Sequence, residues 1–204
     1  VDVLEAGFAV SSPGDFEGVR AVAAAIERPT VASLARTRKE DIDAAAEALA
    51  GARRSRIHVF LATSPIHMER KLRLEPEEVV EQARWSVGYA RSLADEVEFS
   101  CEDATRSEPE FAARVCAEAV RAGATTINLP DTVGYCLPGE YAEFIAEIRA
   151  LCPELDGVAR VVRLAGDAGS LRVSIAVPAE LSRYLAGKGS VTLDGVSLTV
   201  NGAT

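Results

Sequence analysis

The sequence predicts an α/β fold: a partial (β/α)8 barrel of about five βα units, followed by a partial all-β Greek-key half-barrel. Three observations carry that expectation. Buried-strand and amphipathic-helix patterns alternate five times up to about residue 155. Polar residues fall just past the ends of several of those strands. After Asp156 the writing changes to short runs of alternating polarity broken by glycine.

The first strand is "VDVLEAGF" (1–8), and the helix "PGDFEGVRAVAAAIE" (13–27) follows it with Phe16, Val19, Val22, Ala23 and Ile26 at helical spacing. Pro13 and Asp15 are N-terminal helix signals. The unit then recurs as strand 29–35 with helix 39–50, strand 56–63 with helices across 66–94, strand 96–100 with helix 108–122, and strand 125–130 with helix 138–151. Strands joined by crossover helices are parallel, because a hairpin cannot close a parallel pair. A doubly wound sheet and a barrel both fit such a repeat. Glu5, Thr63, His67, Glu102, Asp103, Asn128, Asp131 and Thr132 cluster at strand C-termini, which suits a barrel's catalytic face. No G-x-G-x-x-G follows any strand, which counts against a dinucleotide fold.

Beyond residue 156, "GVARVVRLAG" and "SLRVSIAVP" read as strands around "GDAGS". A short helix "PAELSRYLA" follows, and "GSVTLDGVSLTVNG" reads as two strands around Asp194-Gly195. Charge breaks at the same place. Residues 1–156 hold 17 basic and 28 acidic side chains, net −11, whereas 157–204 hold 5 and 3, net +2. Two domains are expected, 1–155 and 156–204.

The overall charge of −9 argues against a nucleic-acid surface, and no apolar run reaches the roughly 20 residues that cross a bilayer. Val1 lies inside an apolar run with no signal-peptide pattern, so the chain reads as an internal segment of a cytoplasmic protein. Cys101, Cys116, Cys136 and Cys152 are too widely spaced for C-x-x-C pairs and read as reduced thiols. Trp85 reads as core packing, and "GKGS" with Lys188 as a turn, not a phosphate loop. Taken alone, Glu102-Asp103 reads as a solvated pair or helix cap, and His67 as a surface residue.

At "EAGFAVSSPGDFEGV", "RIHVFLATSPIHMERKL", "VEFSCEDATRSE" and "AGATTINLPDTVGY" the first part resembles the isopropylmalate synthase and homocitrate synthase family. The resemblance implies a TIM-type barrel that condenses acetyl-CoA with 2-oxoisovalerate and uses a divalent metal to polarise the keto acid. Glu5 would then face the metal site, His67 would lie near the keto-acid pocket, Glu102 would be the acid/base group, and Thr132 would bond the substrate. The family's "RDGEQ" and "HCHND" metal motifs are absent. The two histidines, His58 and His67, are nine residues apart with His58 inside a strand, so no H-x-H ligand pair can be drawn. No metal ligand is assigned, and no cofactor is expected to bind stably.

The second part, at "DGVARVV" and "SLRVSIAVPAELSRYLAGKGSVTLDGVSLTVN", resembles the lumazine-binding repeat of riboflavin synthase. That resemblance implies Ser190 and Thr192 as ligand contacts and lumazine as ligand. The first repeat, the "SGH" before "DGV" and the later strands are missing. The expectation is therefore a chimera joined near "PELDGV", without turnover of either kind, that self-associates through open sheet edges. A lumazine- or flavin-binding module is the alternative.

Overall fold

A computed structural model describes residues 1–157, together with residues 190–193 and 196–199. The expected strands "GVARVVRLAG" and "SLRVSIAVP", the helix "PAELSRYLA" and the Lys188 turn lie outside the described residues. Ser190–Leu193 and Val196–Thr199 pair antiparallel as β6 and β7, the two strands expected around Asp194-Gly195.

The five βα units form as read. Strands β1 (Val3–Gly7), β2 (Thr30–Arg36), β3 (Ser55–Ala62), β4 (Glu96–Glu102) and β5 (Thr126–Asn128) make one parallel sheet in the order β1-β2-β3-β4-β5. Strand order equals chain order, with no reversal of the kind a doubly wound sheet has at its switch point. This is an unclosed part of a TIM barrel. Both β1 and β5 are edges of that sheet, and β6 lies near β1 without joining it.

Helices α1 (Pro13–Ala25), α2 (Lys39–Ala48), α4 (Pro76–Arg91), α5 (Pro109–Ala122) and α6 (Pro138–Leu151) link or follow the strands; a one-turn α3 (Pro65–His67) and a π-turn (Met68–Leu72) lie between β3 and α4. Their ends follow from local chemistry. Ser12 caps α1 by accepting the Asp15 N–H at 3.1 Å, with Pro13 filling a position whose N–H needs no partner. At the far end of α5, Gly123 turns left-handed at φ 112°, and a Cβ there would meet Arg91 Cγ at 2.8 Å. β5 is shorter than "TTINLP" suggests; at its start the Thr125 hydroxyl accepts the Val97 N–H and donates to the Val97 carbonyl.

The period of two along each strand divides the sheet into two faces. Val31, Ala35, Ile57, Val59, Leu61, Val97, Phe99 and Cys101 point to the helices and form the core with Ile42, Val79, Ala83, Val87, Val115 and Cys116. The registers Glu5↔Ala32↔Arg56↔Glu96 and Leu34↔His58↔Glu98↔Thr126 run across the other, inner face.

One expectation fails here. Trp85 is 44% exposed, and it stacks on Tyr89 with ring centroids 5.7 Å apart. The buried stripe of α4 is Val79, Val80, Ala83, Ser86, Val87 and Ala90, and position 85 falls off it.

Candidate functional site

Two linked groups of polar side chains occupy the concave side of the sheet. The lower one is the inner face itself. Arg56 reaches from β3 to Glu98 at 3.0 Å and Glu96 at 2.9 Å, and Arg54 joins Glu96 at 3.0 Å. One layer up, His58 Nδ1 bonds to Glu5 on β1, and its Nε2 lies 2.6 Å from Ser100 Oγ and 3.5 Å from Glu98 Oε1. Asn128 Nδ2 donates to the same Ser100 hydroxyl at 2.9 Å. Burial pulls the His58 pKa down, but the charge of Glu98 and the hydrogen bond and charge of Glu5 outweigh it against an opposing Arg56, so it ends above an ordinary histidine.

The upper group is the rim, formed by the turns after β3, β4 and β5. Asp103 is its hub. The residue is fully buried and left-handed at φ 64°, a conformation Asp tolerates better than most. Its carboxylate accepts from Arg106 Nε at 2.8 and 3.0 Å and from His67 Nδ1 at 2.9 Å, and its N–H donates to Thr132 Oγ1 at 2.8 Å. Burial would raise the Asp103 pKa; the bonds from Arg106 and Ser64 and the charges of Arg106 and His67 hold it below the usual carboxylate range. Ser64 Oγ and Asp103 share His67 Nδ1, so the three do not form a Ser-His-Asp relay, which would use both ring nitrogens. Beside them Lys71 clasps both oxygens of Glu102, at 2.6 and 2.7 Å.

The structure therefore brings His67 and Thr132 together through Asp103, with Glu102 adjacent in the chain. It places Glu5 in the inner layer, against His58. Ser190 and Thr192 sit on β6, whose backbone alone is described. Sequence reasoning weighed His58 only as half of a metal pair, set Asp103 among the polar residues past the strand ends without giving it a role of its own, and passed over Ser100 and Glu98. The available signal was parity: Glu5, Arg56, His58, Glu96, Glu98, Ser100, Thr126 and Asn128 occupy alternate positions of strands whose other positions are apolar.

A divalent metal is what the family resemblance implies, and the donors do not fit it. Among the described residues no three His, Cys, Asp or Glu side chains are grouped to hold an ion. Glu5 is bonded to His58, Glu98 to Arg56, Glu102 to Lys71 and Asp103 to Arg106. The four cysteines are free thiols; Cys101 and Cys116 lie 3.6 Å apart in the core, and the Cys116 thiol is pushed well up by its bond with Cys101 and by burial.

An unclosed parallel barrel with its polar groups at the strand C-termini defines a class, and comparison with known proteins agrees. Residues 1–162 match the HMGL-like family, and the chain belongs to it. Within it the chain is similar to 2-isopropylmalate synthases. It is 54% identical over 169 residues to that of Paracidovorax citrulli, covering 83% of this chain and 33% of the relative. For Dechloromonas aromatica the figures are 47% over 202 residues, 99% and 37%. The chain thus spans about a third of the length of these relatives. Among solved structures, hydroxymethylglutaryl-CoA lyase from Pseudomonas aeruginosa shares the fold with a TM-score of 0.57 at 22% identity, over 74% of this chain and 52% of that one. The Brucella melitensis lyase gives 0.55 at 22%, over 74% and 56%. Residues 154–204 match the lumazine binding domain, so the chain carries matches to two families, overlapping at residues 154–162. No helix among the described residues is long and apolar enough to cross a membrane.

Proposed function

We propose that residues 1–155 are the substrate-facing part of a 2-isopropylmalate synthase-type site, the class that joins acetyl-CoA to 2-oxoisovalerate in leucine biosynthesis, and that this chain does not itself complete the reaction. The supporting observation is the rim, where one buried carboxylate, Asp103, ties His67 and Thr132 into a single group beside Glu102. Thr132 Oγ1 accepts the Asp103 N–H and keeps its own proton to donate to a keto-acid carboxylate or carbonyl, with the His67 ring beside it through Asp103. Glu102 is the acid/base candidate, and Lys71, 48% exposed, must swing aside to free it. Among the described residues each carboxylate and cation of the inner face already has a partner, which leaves none of them free to stabilise a developing enolate or alkoxide.

Chemical-shift mapping with 2-oxoisovalerate tests the reading: perturbations centred on Thr132 and His67, without CoA release when acetyl-CoA and a divalent metal are added, are the expected result. Keto-acid-dependent CoA release would overturn the inactivity, and perturbations elsewhere would overturn the site. The compartment that fits such a biosynthetic fragment is the cytoplasm. Among the described residues no strand pairs with the outer edge of β1 or β5, and self-association through either is expected. A concentration-independent monomer in light scattering would refute that.

The match over residues 154–204 favours a second reading for the C-terminal part, a lumazine-binding element with Ser190 and Thr192 as contacts. Quenching of lumazine fluorescence on titration, without growth of flavin emission, is its expected signature; absence of quenching excludes it.

A further inference from the structure

A hard divalent cation on the inner face would need several oxygen ligands with free lone pairs, about six in all. The groups that face the centre of that sheet are Glu5 from β1, Arg56 and His58 from β3, Glu96, Glu98 and Ser100 from β4, and Asn128 from β5. His58 lies at their middle and is 4% exposed. Its Nδ1 meets a carboxylate oxygen, which can only accept, so that nitrogen carries a proton. Its Nε2 lies 2.6 Å from Ser100 Oγ, a hydroxyl that can accept or donate, and 3.5 Å from Glu98 Oε1, which only accepts. A carboxylate on either side of the ring is the setting that favours an imidazolium. With Arg54 and Arg56, that third positive charge balances the three carboxylates Glu5, Glu96 and Glu98.

We propose that His58 is the inner face's own counter-cation: wedged between Glu5 and Glu98, its ring fills the space and supplies the charge that a divalent metal would, so the face takes no such ion while His58 is present. The misfit between the implied metal and these donors then has a cause. The carboxylates that the inner face does hold are bonded to internal cations. Removing the ring leaves Glu5 and Glu98 across a gap with the Ser100 hydroxyl and the Asn128 amide beside it, all oxygen-bearing groups suited to Mn²⁺.

The test titrates Mn²⁺ into the full chain, following free Mn²⁺ by electron paramagnetic resonance and the thermal midpoint by circular dichroism against an EDTA control. The parent chain should retain no Mn²⁺ and keep its midpoint. His58→Ala should bind an equimolar amount with a rise in midpoint of about 4 °C, and adding Glu5→Gln should abolish both. Should His58→Ala fail to fold in EDTA, His58→Gln takes its place, and recovery of the fold of either variant on adding Mn²⁺ also counts in favour. Stoichiometric Mn²⁺ uptake by the parent chain, or no uptake and no Mn²⁺-dependent folding in either variant, overturns the proposal. No substrate enters the measurement, so its failure and that of the synthase reading are separable.

Discussion

On the helix-facing side of the sheet, Ile57, Val59, Val97 and Phe99 are fully buried among other apolar side chains, whereas one residue along each strand the inner side holds Arg56, His58, Glu96, Glu98 and Ser100. The same backbone, with the same register, thus carries an oily face and an ionic one. The oily face is held by area and packing, so its loss on truncation scales with the atoms removed. The ionic face is held by pairing, and what it loses on truncation is set by the charge left behind. That difference can be broken experimentally, one face at a time.

The largest effect is expected on the oily side. Phe99→Ala deletes the largest fully buried side chain among the described residues, at the centre of the sheet, and a loss of about 4 kcal/mol is expected from transfer and cavity terms together. Urea unfolding followed by circular dichroism measures it, and a loss no greater than that of a surface truncation would mean that the core does not depend on this ring. On the ionic side, Arg56→Ala leaves Glu98 with only the longer His58 contact at 3.5 Å and takes one of the two partners of Glu96. About 3 kcal/mol is expected, at the low end for a broken buried pair because the Glu96 side chain is 26% exposed and keeps Arg54. Arg56→Met/Glu98→Leu, which removes both charges, should recover most of that loss, since no lone charge remains. A double variant as unstable as Arg56→Ala would show that packing, not pairing, is what Arg56 supplies.

The rim and the inner face should also separate by pH. Asp103 is held below its unfolded value, so its contribution is present above about pH 4 and is lost as the pH falls through its lower folded value. His58 is held above its unfolded value, so its contribution is complete below about pH 6.5 and is lost as the pH rises through its higher folded value. Asp103→Asn keeps the left-handed turn and removes the charge that Arg106 and His67 share. A loss of about 2 kcal/mol at neutral pH is expected, shrinking toward zero in acid. A loss that persists unchanged at low pH would assign Asp103 a purely conformational role.

Much of the oily face was legible in the sequence, and the ionic face was not, for a physical reason. Apolar periodicity reports burial, and the five βα units follow from it to within a few residues; β5 begins one residue late, where Thr125 turns its own hydroxyl onto Val97. Strands of a parallel sheet are expected to be apolar on both sides, so polar residues inside "RIHVF" and "EVEFS" read as isolated exceptions, although together they form a layer. The rim residues His67, Glu102 and Thr132 were legible through the family resemblance. Asp103 was placed among the polar strand-end residues but given no role of its own, because its contacts lie 36 residues back and 29 residues forward in the chain, which no local pattern reveals.

Two aromatic rings give the smallest expected effect and the sharpest contrast with Phe99. The sequence reading made Trp85 a core residue, and a core Trp→Ala change costs about 3–5 kcal/mol. In the structure its ring lies nearly half in solvent on the outer side of α4, parallel to Tyr89 at an interplanar angle of 7°, while Tyr89 is fixed by its hydroxyl bond to Asp43 at 2.6 Å and by the Lys39 ammonium 5.1 Å from its ring centre. Tyr89 keeps those two partners when Trp85 is removed. Trp85→Ala should therefore cost only the stacking of one exposed pair, about 1 kcal/mol, and should abolish the tryptophan fluorescence without shifting the far-ultraviolet circular dichroism. A loss as large as that of Phe99→Ala would mean that this ring is covered, in solution, by something that the described residues do not supply.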